Sequence, residues 1–382
     1  MHNNIFFGKK ILIFKKKKYS SYYDPVLESI IREGKPMYVF YTKYKNFNNI
    51  VEVNEEILKK IKKHKIDIFL SASYFPFNTH YLKNIQKLCH TIRIDGDDDS
   101  LMKSYSMYIS NFFDLNITTS PSAAKKFKKY GNASLALPIF YRRKKKLKHR
   151  FKHDVSFVGI LRGKNDRLDY INEIRKNQIS LDVFGPDTKK LKYREVLNVF
   201  QKSKINLNFS KLNNDMPILN KHDKSLKSKS GIKSRLFEIM NCGGFVLTEY
   251  TKDLNYFFPE KKYLETFKNK KELISKIKFF LKNNSKRKMI AKNGKLFFDK
   301  NFSEKNYSSI LINQITQKMK YKKFSQKIDI NGSYKKNYRE FFSYFLSKKD
   351  LLLILSSKRE FHFLISYQIL FIRLFNKFKK LI

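Results

Sequence analysis

The chain has 382 residues, 42% of them hydrophobic, enough apolar material for two sizeable cores, which excludes a wholly disordered protein. Lys and Arg number 81 against 33 Asp and Glu, a formal net charge of +48 whose field attracts anions: nucleotide diphosphates, anionic lipid headgroups or nucleic acid. The lysines are spread along nearly every segment and nothing resembles an RRM core, a zinc-finger spacing or a recognition helix with a dimerisation heptad, so specific nucleic-acid recognition is not indicated and a basic nucleic-acid-binding protein is the alternative reading.

The N-terminal apolar run is too short for a secretory signal and lacks a small-residue cleavage site, which points to the cytoplasm. Short apolar runs then alternate with helical patterns, the signature of parallel sheets covered by helices. Strands are predicted at Lys10–Phe14, Met37–Tyr41, Ile66–Leu70, Thr91–Ile94 and Asp114–Thr118, with helices at Pro25–Arg32, Glu55–Lys63 and Ser122–Tyr130, the last ending at Gly131. His80 follows one of these strands and is a candidate base, or simply a residue at a helix start. The acid cluster Asp95-Gly-Asp-Asp-Asp99 follows another; on a strand's carboxyl end it would face a cleft, which nominates Asp97 and Asp98 as catalytic or acceptor-binding groups. The competing reading is an acidic turn capping a helix that starts near Ser100.

Residues 141–153 are dense in Lys, Arg and His without apolar periodicity and read as a basic linker. A second α/β set begins at Val155–Gly159 and continues through Leu181–Phe184 and Ile205–Phe209. Gly159 lets the following loop bend sharply, so that Arg162 or Lys164 can meet a phosphate at the cleft. The stretch Gly231–Glu249 places Leu236, Phe237, Ile239 and Met240 on one helix face, stops that helix at Gly243-Gly244 and starts a buried strand at Phe245. Glu238 is the lone carboxylate in this helix, suited to accept hydrogen bonds from ribose hydroxyls. After it, Glu249, Tyr250 and Thr251 end a strand where a sugar or phosphate can be touched. Cys89 and Cys242 are the only cysteines and fall in different halves, so no disulfide framework is expected.

The run Arg235-Leu-Phe-Glu-Ile-Met-Asn-Cys-Gly-Gly-Phe-Val-Leu-Thr-Glu-Tyr-Thr-Lys-Asp-Leu254 resembles the donor-binding signature of group 1 glycosyltransferases, which have the two-domain GT-B fold. Lys271–Leu281 and Met289–Gly294 resemble that family's closing helices, and the likeness extends from about Asp154 to Leu311. It implies that Glu238 holds the ribose of a nucleotide-sugar and that Gly243 and Gly244, in the turn after the ribose-binding helix, bring backbone close to that donor. The loop at Gly159, Arg162 and Lys164, with Lys233 and Arg235, would neutralise the diphosphate; no metal is expected, because donor binding in GT-B proteins does not rely on an Asp-x-Asp motif. Three departures stand out. Ile160 occupies the place where family members carry an arginine after the glycine. Ser230 replaces the second glutamate of many retaining members, and Phe14–Ser21 lacks the glycine-rich loop.

Beyond Leu311 the chain turns basic and apolar. The run from Phe361 has about a dozen uncharged residues before Arg373, short of the roughly 20 that span a bilayer. Either an interfacial helix on an anionic membrane or a helix packed on the protein fits it. The combined expectation is an α/β protein with a GT-B fold, two Rossmann-like domains facing a cleft, and a helical basic C-terminal tail. Residues 1–140 form the acceptor-side domain, 141–153 the linker, 154–311 the nucleotide-sugar-binding domain and 312–382 the tail. The implied function is transfer of a sugar from a nucleotide-sugar to a glycan or lipid-linked acceptor in surface polysaccharide assembly, in the cytoplasm or on its membrane face. A degenerate, non-catalytic GT-B domain is a further alternative.

Overall fold

Runs such as Ile11-Leu-Ile-Phe14, apolar at every position, bury both faces of a strand at once, which only a sheet covered by helices on both sides permits. The computed structural model describes residues 4–15, 24–40, 50–72, 74–140, 150–161, 165–212, 217–259, 262–320 and 332–345. Eleven strands are present among them, in two sheets. The first holds β1 (Lys10–Lys15), β2 (Lys35–Phe40), β3 (Ile68–Ala72), β4 (His90–Asp95), β5 (Leu115–Thr118) and β6 (Ser134–Ala136) in the order 2-1-3-4-5-6. The second holds β7 (His153–Val158), β8 (Leu181–Phe184), β9 (Ser203–Asn208), β10 (Val246–Glu249) and β11 (Glu265–Phe267) in the order 11-10-9-7-8. Every pairing is parallel, so all carboxyl ends of a sheet share one edge. The strand order reverses between β1 and β3 in the first sheet and between β7 and β9 in the second.

The expected strands and helices are present with ends shifted by a few residues, and the Glu55–Lys63 helix extends over Ile50–His64. Beyond those expectations lie β6, β11 and a long helix, Glu304–Lys320. That helix returns to the first sheet. Ser308 Oγ lies 2.7 Å from Ser29 Oγ, Thr316 Oγ1 accepts from the Ile5 amide at 3.4 Å, and Glu304 pairs with Arg32. One apolar core runs continuously across both sheets through Phe140, which stacks on Phe237 and meets Phe298 and Tyr307 edge-on. The Tyr307 hydroxyl donates to the Pro138 carbonyl at 2.7 Å.

Part of the tail folds back on the protein. The helix Gly332–Phe345 packs Tyr338 and Phe341 against Tyr105 and donates from the Tyr338 hydroxyl to the Phe77 carbonyl. Glu340 receives Lys221 at 2.6 Å and the His222 ring at 3.1 Å. Within the 312–382 tail, residues 332–345 thus pack on the protein. The apolar run after Phe361 and most of the basic linker lie outside the described residues, among which no helix is long and apolar enough to cross a membrane.

Candidate active site

Ligands of open parallel sheets gather at the carboxyl edge where strand order reverses. At the β7/β9 reversal three cations converge. Arg235 opens the helix Arg235–Asn241; its Nη1 donates to Asn208 Oδ1 at the end of β9 (3.3 Å) and its guanidinium lies 5.4 Å from the Phe157 ring of β7. Arg167, in the first turn of Asn165–Lys176, donates to the Ile160 carbonyl (2.8 Å) and lies over the same ring at 6.0 Å. Gly159 sits beside them because a methyl group there would stand 3.1 Å from Arg235 Nη2 and 2.7 Å from Phe157.

Lys233 completes the set. Enclosure by protein pulls its ammonium down to about 8, with Arg167 and Arg235 adding to the fall and Asp97 and Asp99 resisting it. A lysine that loses its proton near pH 8 predicts a measurable signature: affinity for a nucleotide diphosphate falls as pH rises through about 8, since only the ammonium attracts phosphate. In Lys233→Arg that bend disappears, because a guanidinium stays protonated. Titration calorimetry from pH 6.5 to 9.5, a range about the shifted value, checks this; an identical bend in both proteins would assign it elsewhere.

Across from these cations stands the acid loop that follows β4. Its members have separate fates. Asp95 and Asp98 are fully buried and both meet Arg93 on β4, Asp95 at 3.1 Å. Asp98 is thereby corrected from a catalytic candidate to half of an internal ion pair, since a carboxylate closed off from solvent cannot meet an acceptor. Asp97 is solvent-exposed yet walled by protein; that enclosure raises its carboxyl above the usual range, Lys233 counteracting and Asp98 reinforcing. Asp99 is half-buried, accepts from Ser120 Oγ at 2.6 Å, and is pushed up to about 6, burial being the main cause.

The two sheets touch here. A methyl group at Gly231 would lie 2.6 Å from Asp99 Oδ2, so only glycine lets the acid loop approach the segment leading to Lys233. Asp253, beyond β10, accepts from Ser122 Oγ at 2.5 Å and from the Ser120 hydroxyl and the Ser122 amide at 3.4 Å each, at the start of the Pro121–Lys129 helix.

Glu238 is 7% exposed, three residues beyond Arg235 on the same helix, a spacing that places both on one face. The other expected donor contacts divide. Gly243 and Gly244 lie at the opposite edge of the sheet, before β10: Gly243 has φ +71° and ends the helix, while Gly244 is packed 2.8 Å from the Phe200 carbonyl for any added methyl. Their role is corrected to helix termination and packing. Glu249 is corrected as well, because its Oε2 accepts the Ser210 and Lys211 amides at 2.9 and 3.2 Å and so ties β10 to β9. Tyr250 and Thr251 remain on the carboxyl edge, with Lys268 5.4 Å over the Tyr250 ring and Thr251 buried. His80 stands apart from the acid loop in its bonding: its Nε2 lies 3.2 Å from Asn84 Nδ2, one turn along its own helix, which marks a helix-start histidine. Arg162 and Lys164 lie outside the described residues. Sequence reasoning passed over Arg167, Asp99, Asp253 and Arg93; among 81 Lys and Arg no single arginine stands out, though Arg167 does occupy the first turn after the bent loop.

Residues 167–310 match a family described as glycosyl transferase-like. No curated protein sequence matches the chain. Among solved structures it is similar to HepE of Anabaena in complex with UDP-glucose, at 10% identity and a TM-score of 0.57 over 81% of this chain and 100% of that one. Sucrose-phosphate synthase from Thermosynechococcus elongatus is similar at 9% identity and TM-score 0.54, over 81% and 98%. A TarM variant from S. aureus in complex with fondaparinux, α-GlcNAc-glycerol and UDP is similar at 10% identity and TM-score 0.51, over 70% and 59%. At such identities the likeness speaks for the fold, and the family match speaks for the chemistry of the C-terminal half. The chain thus has a GT-B fold, with a glycosyl transferase-like match at residues 167–310 of its C-terminal domain.

Proposed function

We propose that this protein moves a sugar from a nucleotide-sugar donor to a hydroxyl of a glycan or lipid-linked acceptor, in surface polysaccharide assembly on the cytoplasmic side, free or at the membrane surface. The observation that carries the reading is the set of Arg167, Lys233 and Arg235 at the β7/β9 reversal, facing the accessible Asp97. In this mechanism the diphosphate rests on those cations, which stabilise the charge that grows as it leaves, without needing a metal. Glu238 receives the ribose hydroxyls. Asp97 takes the proton of the acceptor hydroxyl as its oxygen bonds to the anomeric carbon. The UDP-glucose held by HepE and the UDP held with α-GlcNAc-glycerol by TarM support a UDP-sugar donor and a glycan-like acceptor.

Glu238→Gln tests the donor half. Losing charged hydrogen bonds to ribose should weaken nucleotide-sugar binding by about 1–3 kcal/mol. Titration calorimetry reads this directly, and an unchanged affinity would remove Glu238 from the site.

A further inference from the structure

Beneath the acid loop lies a group that the transfer reading does not use. Arg93 is fully buried in the middle of the first sheet. Its Nη2 donates to Asp95 Oδ2 (3.1 Å), to Asp98 Oδ1 and to Ser106 Oγ (3.2 Å). Its guanidinium lies 5.4 Å from the Tyr105 ring and 5.8 Å from the Phe127 ring. Burial alone would lower its basicity, but Asp98 and Asp95 outweigh that and hold it charged. Burial and the charge of Asp98 in turn raise the Asp95 carboxyl, despite the pull of Arg93.

Such a trio is a poor device for stability. Apolar residues of like volume usually serve a core as well as a buried ion pair. This one is also incompletely bonded, since Arg93 Nε and Nη1 and Asp98 Oδ2 make no hydrogen bond, and a half-satisfied buried network is worse than an apolar core. What the trio does accomplish is geometric. Asp95 Oδ1 accepts the Asp97 amide at 2.9 Å, and Asp98 begins the turn Asp98–Leu101. The two buried carboxylates thus pin the chain immediately before and after Asp97, leaving it the one exposed carboxylate of the four. Ser106 closes a π-helical turn, Met102–Ser106, that also carries Tyr105, and such turns often sit at functional sites. Through Tyr105 the anchor reaches Phe341 of the Gly332–Phe345 helix, 5.5 Å between rings.

We propose that Arg93 is a positioning residue that clamps Asp95 and Asp98 so that Asp97 is presented to the acceptor. The proposal rests on the transfer reading for its catalytic consequence only. In the full chain, Arg93→Met should leave affinity for UDP within about twofold while turnover of the nucleotide-sugar falls by at least about 100-fold, the scale of a misplaced base. Amide hydrogen exchange over 95–101 should rise by about tenfold, with 203–208 unchanged, as a local opening requires. Arg93→Lys keeps the charge but offers one ammonium where a planar fork served; it should show the same split in smaller measure, and decides the matter if the methionine variant does not fold. Parallel loss of UDP binding and turnover, or unchanged exchange over 95–101, would overturn the role. A wild-type protein that transfers no sugar would count against the transfer reading, while the exchange arm would still decide whether Arg93 holds the loop.

Discussion

Asp97→Asn is expected to lower turnover by about 10²–10⁴-fold, the usual contribution of a positioned base, while nucleotide binding survives. The substitution is isosteric and the residue is exposed, so the fold has little to lose. Its neighbour Lys233 loses one carboxylate that helps keep its ammonium protonated, so binding is compared at about pH 6, well below the shifted value, where the ammonium persists and affinity should not fall. The pH dependence has a definite sign. Asp97 acts as a base only when ionised, and its carboxyl is raised, so wild-type turnover falls as pH drops through that raised value, and the residual activity of the variant lacks this limb. Steady-state kinetics beside calorimetric binding separate the two quantities. Equal loss of affinity and turnover would move Asp97 from the chemistry to the structure of the cleft.

Arg235→Met should weaken nucleotide diphosphate binding by about 1.5–3 kcal/mol, the range for hydrogen bonds to charged groups. Methionine keeps helix propensity and an unbranched stem over Phe157, so the loss is chiefly that of the guanidinium. The chain's charge of +48 complicates any anion measurement, since diffuse attraction persists after one cation is removed. Diffuse attraction is screened at about 0.15 M salt, where the Debye length is about 8 Å, whereas a fixed, enclosed contact is screened far less. The variant should therefore differ most from wild type at that salt, and a loss visible only at low salt would mean that Arg235 is one surface charge among many.

Much of this molecule is legible before folding, because parallel strands buried on both faces leave uninterrupted apolar runs: Lys10–Phe14 and Ile205–Phe209 locate β1 and β9 to within two residues. The helix that carries Glu238 is legible for a related reason, since its apolar periodicity stops at two glycines where the helix ends. Charge was the obstacle. Lysine and arginine are so abundant that proximity in sequence chose Arg162 and Lys164, while helix geometry brings Arg167 over Phe157. The acid loop shows the same limit. Four carboxylates within Asp95–Asp99 are equivalent on paper, and only the buried partner Arg93, two residues before the first of them, separates the internal Asp95 and Asp98 from the accessible Asp97. The glycines misled by a different route: Gly243 and Gly244 end the helix at the sheet edge opposite the cleft, a matter of strand direction that a motif does not carry. Contacts between sheets, such as Asp99 with Gly231 or Asp253 with Ser122, join residues more than a hundred positions apart and leave no local trace.

Binding of a nucleotide-sugar in the cleft is read out by a thermal-shift screen of the full chain against UDP-, GDP-, CMP- and dTDP-sugars at moderate salt, with phosphate and ATP as anion controls. A rise in melting temperature selective for one base and abolished in Glu238→Gln is expected, since a ligand that binds only the folded state stabilises it, and more so the tighter it binds. Equal shifts with every anion, or none with any sugar nucleotide, would contradict it and leave a basic protein on a GT-B scaffold.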